Sequence, residues 1–417
     1  MEKLKPIKNH EREIFMDALR GFAILGIFIA NLAGFSEFDG DAKIVSPWII
    51  DYWDDVMEFL HTLFIEGKFY SIFSLLFGWG IALQLKRTSE MGISSLSTIK
   101  RRLLIMLLLG ALHLLIWIGD IVFFYALLGF VLLTFRKFSN KTLLITAAIL
   151  ILSPILLYWL KMNYPILNYP AQFLYKTGNQ LEGELLGINS EETFKNYIKN
   201  ANWFDVAKLN VCGFFYRYGY LFFVSRIPKV LGMFLIGYVI GRSDFYKNLN
   251  KNKKIVYWTI GIGLVLGLPA NFMLAKYISA PGSDYYNLKL NGWYETISYA
   301  LGVVPLALSY VGMMMLSFQT KIGHKLLLIL TPVGKMAFTN YIMHSLIGNF
   351  VFLSVGLNYG GQVGPVYYTL FGIAVFVFQI VLSTIWLTYF QYGPVEWVWR
   401  SLTYGKRQPM FKSVDIL

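Results

Sequence analysis

Two ionisable residues interrupt one of the most apolar stretches of the chain, LGALHLLIWIGDIVFFYALLGF (109–130). His113 lies about 11 residues beyond Arg102, hence ~16 Å along a helix and near mid-depth of a bilayer. An intramembrane ionisable group faces a protein interior or a wet cavity and is a candidate for function. An imidazole there can serve as a general base; the plainer alternative is a neutral histidine hydrogen-bonded to a neighbouring helix. Asp120 sits where two apolar runs meet with almost no loop. Gly119 suits a helix end, and Asp120 suits the N-cap of the next helix. In one continuous helix the two residues share a face but stand ~10 Å apart along the axis, too far for a hydrogen bond. Asp120 is therefore expected to start a helix at the outer boundary. The partner of His113 is expected from another span: Asn31, Asn340 or His344.

The other candidates fall into three groups. FMDALRGFAILGIFIANLAGF near the N-terminus places Asp17 and Arg20 at i, i+3, where they can pair at the inner boundary, and Asn31 towards the outer half. Asn31 can also act simply as interhelical glue. TPVGKMAFTNYIMHSLIGNF carries Thr331 and Pro332 as a helix start. Lys335 follows one turn inside, where it can snorkel or bind phosphate. Asn340 and His344 share one face by their i, i+4 spacing. Glu66 and Lys68 flank the outer mouth of a further run, where a surface ion pair contributes little; His61, on the segment before them, is expected to be solvated. In the tail, Arg400, Lys406 and Arg407 beside Trp397 and Trp399 can bind an anion or sit at the inner leaflet. A zinc site needs three or four ligands and none assembles. GxxxxGK[ST], GxSxG and HExxH are absent, which excludes the corresponding ATPase, serine-hydrolase and zincin motifs.

These residues need elements to hold them. The 417 residues are 56% hydrophobic and only 15% charged. A soluble domain has too little interior for that surface, so the chain reads as an all-α integral membrane protein. Ten apolar runs approach the ~20 residues of a span: 16–35, 69–85, 103–119, 121–135, 142–160, 222–241, 255–274, 295–317, 331–353 and 366–390. Residues 206–221 form a possible partial span or interfacial helix. Basic clusters at 1–15, 86–102, 136–141, 241–254, 319–325 and 391–417 hold about 23 of the 37 Lys and Arg. That side is expected to be cytoplasmic, with both termini inside. The net charge of +13 then reflects topology, not nucleic-acid binding. The N-terminal run reads as a retained span, not a cleaved signal peptide. Within 36–68, apolar Ile49, Trp53, Met57, Leu60 and Phe64 alternate with Asp51, Asp54, Asp55 and Glu58, the pattern of an amphipathic helix on the outer surface. Residues 161–205 read as a polar outer cap and 391–417 as a cytoplasmic interfacial tail, all in one polytopic domain. The single cysteine, Cys212, excludes an internal disulfide and a cysteine-based metal site.

DALRGFAILGIFIAN, GKFYSIFSLLFGWG, LGALHLLIWIGDIVFFYALLG and the pair GKMAFTNYIMHSLI with YGPVEWVWRSLTYGK together resemble the YeiB-type family of bacterial inner-membrane proteins. The first run also resembles that of transmembrane acyltransferases such as heparan-α-glucosaminide N-acetyltransferase, in Asp17, Arg20, Gly21 and Asn31. This resemblance implies an enzyme that takes an acyl group from cytoplasmic acyl-CoA and delivers it, through a histidine, to an acceptor on the outer side such as a glycan or lipid. No histidine follows Asn31 at the comparable spacing, which moves the expected base to His113. Asn31, Asn340 and His344 would assist it; Arg20, Arg102, Lys335 and Arg400 would bind the CoA phosphates, and Asp17, Asp120, Glu66 and Lys68 would be structural or gating. The alternative is a small-molecule transporter with His113, His344 and Asp120 as a proton relay. No metal is expected; the bilayer is the constant partner, and an oligomer is compatible with the sequence.

Overall fold

A computed structural model describes residues 14–37, 46–90, 96–278 and 288–412 of the chain. Among them every long apolar run is helical, because a helix satisfies its own backbone in lipid. In chain order the α-helices are α1 (Ile14–Ser36), α2 (Asp51–Phe64), α3 (Lys68–Glu90), α4 (Leu96–Leu114), α5 (Val122–Thr134), α6 (Asn140–Asn163), α7 (Tyr169–Leu186), α8 (Glu191–Asn200) and α9 (Trp203–Phe223). They continue with α10 (Arg226–Arg242), α11 (Leu249–Ile262), α12 (Leu268–Ile278), α13 (Leu290–Ser317), α14 (Lys321–Leu328), α15 (Thr331–Lys335), α16 (Ala337–Phe352), α17 (Pro365–Tyr389) and α18 (Pro394–Tyr404). Among the described residues the one β-type pairing is an isolated bridge between Phe390 and Phe411.

Six helical stretches are long and apolar enough to cross a membrane: Ile14–Ser36, Asp51–Arg87, Asn140–Asn163, Leu249–Ile278, Leu290–Ser317 and Pro365–Tyr389. A seventh arises if α9 and α10, bent by 73°, count as one. The chain is a multi-helical membrane protein. Each of the ten expected runs contains a helix, with altered ends. The expected span 103–119 stops at Leu114, the span 331–353 is broken at Met336 between α15 and α16, and the partial span at 206–221 is the complete helix α9. Between α9 and α10 the chain turns at Ser225, whose φ of +50° is left-handed. Lys161 reaches across from α6 to the carbonyls of Phe222 and Phe223 at 2.8 Å each, satisfying acceptors that a helix end leaves open.

The core runs through α1, α3, α10 and α13 with α4, α5 and α16 against it. Glycines set the closest approaches. A Cβ on Gly237 would stand 1.9 Å from the Leu75 carbonyl oxygen, and one on Gly334 would stand 1.7 Å from that of Asp17. Such small-residue contacts let helix backbones touch where lipid supplies no hydrophobic drive.

The outer segment differs from expectation. Part of 36–68 and most of 1–15 lie outside the described residues. On α2, Asp54 and His61 are buried while Trp53 and Phe64 are exposed along with Asp51, Asp55 and Glu58, so two polar side chains of the helix turn into the protein and its other acidic residues stay outside. Asp54 accepts from the backbone N–H of Ile50 at 2.6 Å and of Val366 at 2.8 Å. His61 is not solvated: it bonds Thr369 on α17 at 2.8 Å. The cap at 161–205 is helical, with α7 packed on α9 and tied by Tyr216, which donates to Glu182 at 2.7 Å. The tail is less peripheral than expected. α18 packs on α4, and its Glu396 accepts from Phe338 N at 2.7 Å and Thr339 N at 3.1 Å, capping α16.

Candidate active site

His113 lies in the last turn of α4. The chain then reverses through 115–121 before α5, and its carbonyl accepts from the N–H groups of Ile116 and Trp117 at 2.9 Å. This reversal overturns the helical spacing argument. Asp120 is carried back beside His113, and its Oδ2 lies 2.7 Å from Nδ1. The other oxygen, Oδ1, accepts from the Phe123 N–H at 2.7 Å. Asp120 thus does what a cap does and orients an imidazole as well. The second ring nitrogen, Nε2, meets Ser345 Oγ at 2.9 Å.

The partners of His113 are therefore Asp120 and Ser345, not Asn31, Asn340 or His344. All three are buried: His113 2%, Asp120 3% and Ser345 1% exposed. An ionised carboxylate only accepts, so Asp120 fixes the proton on Nδ1. With the proton on Nδ1, Nε2 is the acceptor and the Ser345 hydroxyl the donor of their bond. That is the order of donors and acceptors in a serine–histidine–carboxylate relay, which is recognised by geometry and not by chain order.

One face of α16 builds this arrangement. Tyr341, one turn before Ser345, has its ring 5.0 Å from that of His113. Its hydroxyl accepts from the Ile121 N–H at 3.2 Å and donates to the Gly119 carbonyl at 3.4 Å. Asn349, one turn after, donates to the Ile116 carbonyl at 2.7 Å, and Asn210 of α9 donates to that of Leu115 at 3.0 Å. The reversing turn is held from both sides. Asn340 and His344 occupy the adjacent face of α16 and look towards α17. Asn340 donates to Ser383 Oγ at 3.0 Å, His344 Nε2 bonds Gln379 at 2.8 Å, and the His344 ring stacks on Phe28 at 3.9 Å. Their common face was legible; its direction was not.

Cavities approach the relay from two ends. One, of about 200 Å³, is lined by the cations Arg20, Arg102, Lys335 and Arg400 and by apolar Leu76, Ile99, Leu103 and Met106. It reaches Tyr341 and Ile121. The four cations singled out for phosphate binding thus share one cavity, although they come from α1, α4, α15 and α18. Arg102 lies 4.1 Å over the Trp399 ring. Asp17 is buried and pairs with Arg20 at 2.5 Å. From the other end, a chamber of about 280 Å³ is lined by Asn31, Glu66, Tyr70, Arg217 and Arg226. It also reaches Gly119 and Ile121. Ile121 is common to both cavities, and the relay lies behind it, covered by Tyr341 and the turn.

Glu66 and Lys68 are not a surface pair. Lys68 is fully buried and donates to the Thr62 carbonyl at 2.6 Å, while Glu66 faces Arg226 at 3.5 Å.

Ser345, Tyr341 and Asn349 escaped the sequence reading. The available signal was their i, i+4 spacing on the run that carries Asn340 and His344.

Residues 240–406 match a family described as "Protein of unknown function (DUF418)". The whole chain is 31% identical to "Uncharacterized protein YxaH" of Bacillus subtilis (strain 168), over 100% of both chains. The chain belongs to the YeiB-type DUF418 family. It is 29% identical to "Uncharacterized protein YeiB" of Escherichia coli (strain K12), over 94% of this chain and 96% of that one. It is also 28% identical to an "Uncharacterized 39.9 kDa protein in amylase 3'region" of Bacillus acidopullulyticus, over 98% of each. No solved structure matches. The DUF418 match contains Lys335, Tyr341, Ser345 and Arg400. Arg20, His113 and Asp120 precede it and fall within the full-length likeness to YxaH. The relay in this DUF418 chain therefore joins residues inside the matched segment to residues before it.

Proposed function

We propose that this chain is a membrane-embedded acyltransferase that carries an acyl group from a cytoplasmic acyl-CoA to an acceptor on the outer side of a bacterial inner membrane. In this reading the chain crosses ten times with both termini inside, as the basic clusters suggest. The cavity lined by Arg20, Arg102, Lys335 and Arg400 then opens to the cytoplasm. Guanidinium and ammonium groups bind phosphates through charge-assisted bonds, and the apolar walls suit an acyl chain.

The observation that carries the reading is His113 held between Asp120 and Ser345, behind the one residue that both cavities share. Chemistry follows from that order of protons. Ser345 Oγ gives its proton to His113 Nε2 and attacks the thioester carbon. The C–O bond forms, the C–S bond breaks, and the proton passes from Nε2 to the leaving CoA sulfur. In the second half an acceptor hydroxyl or amine gives its proton to Nε2 and attacks the acyl-serine, and Ser345 recovers its proton from His113. Asp120 keeps the ring in the required tautomer and stabilises the imidazolium. Because Ser345 is 1% exposed, the donor carbonyl reaches it only when Tyr341 or the 115–121 turn shifts, a gating motion of the usual kind. Asn31 lines the acceptor side; Asn340 and His344 hold α16 to α17.

The test is transfer of label from radiolabelled acetyl-CoA to membrane acceptors in sealed vesicles carrying the protein. Transfer by wild type that is lost in His113→Ala supports the reading. Equal transfer by both, or acyl-CoA that fails to bind the purified protein, sinks it.

A transporter remains the second reading, favoured by the two cavities approaching Ile121 from opposite ends. It requires substrate flux without acyl transfer, which the same vesicles measure.

A further inference from the structure

Arg217 of α9 stands on the border of two cavities. One is the polar chamber beside the relay. The other is larger, about 850 Å³, and lies under α7, α8 and α9. It falls within the ~300–1,000 Å³ range of ligand sites. Its walls are apolar for the most part, with Val206, Leu209, Phe194 and Ile198 among them, and the carboxylates on its lining are Glu37 and Glu182. Glu182 is already bonded by Tyr216.

Arg217 has no hydrogen bond or ion pair among the described residues, and its Nε is buried without a partner. Its guanidinium carbon lies 6.0 Å from the centroid of the Tyr220 ring. A guanidinium stays charged, and a charge inside a membrane protein is matched by a counter-charge or by water. In the polar chamber Arg217 and Arg226 face one carboxylate, Glu66, which Arg226 meets at 3.5 Å. Arg217 is the guanidinium left without an ion pair there, at the mouth of the second chamber, and among the described residues neither Glu37 nor Glu182 on that chamber's lining pairs with it.

We infer that this double cavity binds an amphiphile with a phosphate head: the phosphate on Arg217 and Arg226, and the alkyl chain in the chamber under α7–α9. A fork of guanidinium donors matches phosphate oxygens. The same apolar chamber is lined by Trp117 and Gly119, next to Asp120, so a hydroxyl near the bound head group would lie on the relay side. This deepens the acyl-transfer reading by giving the class of acceptor and rests on it for that role, but binding is measurable without turnover.

The experiment uses the purified full chain in a neutral detergent and measures affinity for hexadecyl phosphate, hexadecanol and inorganic phosphate. Hexadecyl phosphate binds at least about tenfold more tightly than either of the others, since each would lose one half of the site. Arg217→Gln weakens it about 10–100-fold, and Arg217→Lys restores part of the loss. If hexadecanol binds as tightly as hexadecyl phosphate, if inorganic phosphate does so, or if Arg217→Gln binds like wild type, the inference is overturned. Val206→Trp, which fills the chamber and leaves both arginines, weakens hexadecyl phosphate more than octyl phosphate; equal effects on both chains overturn the placement of the tail. His113→Ala binds like wild type. Acyl transfer that is absent while this binding holds removes the enzyme reading alone, and binding that is absent while transfer holds removes this inference alone.

Discussion

Replacing Asp120 by asparagine separates the two jobs of its carboxylate. Oδ2 accepts from His113 Nδ1 at 2.7 Å and Oδ1 from the Phe123 N–H at 2.7 Å. The asparagine oxygen can keep the Phe123 bond, which holds the start of α5. Its NH2 group then points at Nδ1 and can only donate. The imidazole must move its proton to Nε2 to accept, and Nε2 can no longer take the hydroxyl proton of Ser345. One buried charge-assisted bond becomes a neutral one, a loss of about 1–2 kcal/mol in stability. The effect on transfer is far larger. In serine proteases the wrong histidine tautomer lowers turnover by about 10⁴, and a loss of the same order is expected here. Asp120→Ala leaves both the Nδ1–H and the Phe123 N–H without acceptors, at about 1–3 kcal/mol each, and is expected to be the less stable variant. Thermal unfolding in detergent, followed by tryptophan fluorescence, ranks the two against wild type, and vesicle transfer measures activity. Asp120→Asn that folds normally and transfers within about twofold of wild type would refute the tautomer argument.

Further outcomes follow from other parts of the molecule. Arg102→Gln should raise the acyl-CoA concentration for half-maximal binding about 10–100-fold, by removing one charge-assisted phosphate contact; calorimetry with acetyl-CoA checks it, and unchanged affinity removes Arg102 from the donor site. Gly334→Ala forces a methyl against the Asp17 carbonyl and should cost about 1–3 kcal/mol by overpacking, read as a lower unfolding temperature. Glu396→Ala strips the first turn of α16 of its acceptor for Phe338 and Thr339, a loss of about 1–3 kcal/mol; faster amide exchange at residues 338–339 than elsewhere in α16 is the diagnostic sign.

Apolar run length made the helices legible; the basic clusters drew attention to Arg102 and Arg400, and position at the ends of apolar runs to Arg20 and Lys335, without any geometry. What failed was an inference from spacing. His113 and Asp120 are seven residues apart, and helix geometry separates them only while the helix lasts. α4 ends at Leu114 because the chain must reverse before α5, and Gly119 was the visible mark of that reversal. Ser345 was hidden for another reason. A serine in an apolar run carries no charge and little hydropathy signal, so only its i, i+4 spacing to Tyr341 and Asn349 set it apart from a residue that bonds its own helix. Asn340 and His344 drew the eye because they are more polar, yet the turn of one residue, about 100° around a helix axis, points them at α17. The burial of His61 and Lys68 was equally unreadable: both lie in segments whose charge suggested solvent, while tertiary packing supplies Thr369 to His61 and the turn between α2 and α3 folds the Thr62 carbonyl onto Lys68.

The central claim is that Ser345 is a nucleophile served by His113 and Asp120. Intact-protein and peptide mass spectrometry after brief exposure to acetyl-CoA at low temperature tests it most directly. The account predicts an acetyl adduct on the peptide containing Ser345 in wild type, and none in Ser345→Ala, His113→Ala or Asp120→Asn over the same interval. A wild-type chain that transfers acetyl groups while Ser345→Ala transfers them at the same rate would contradict it.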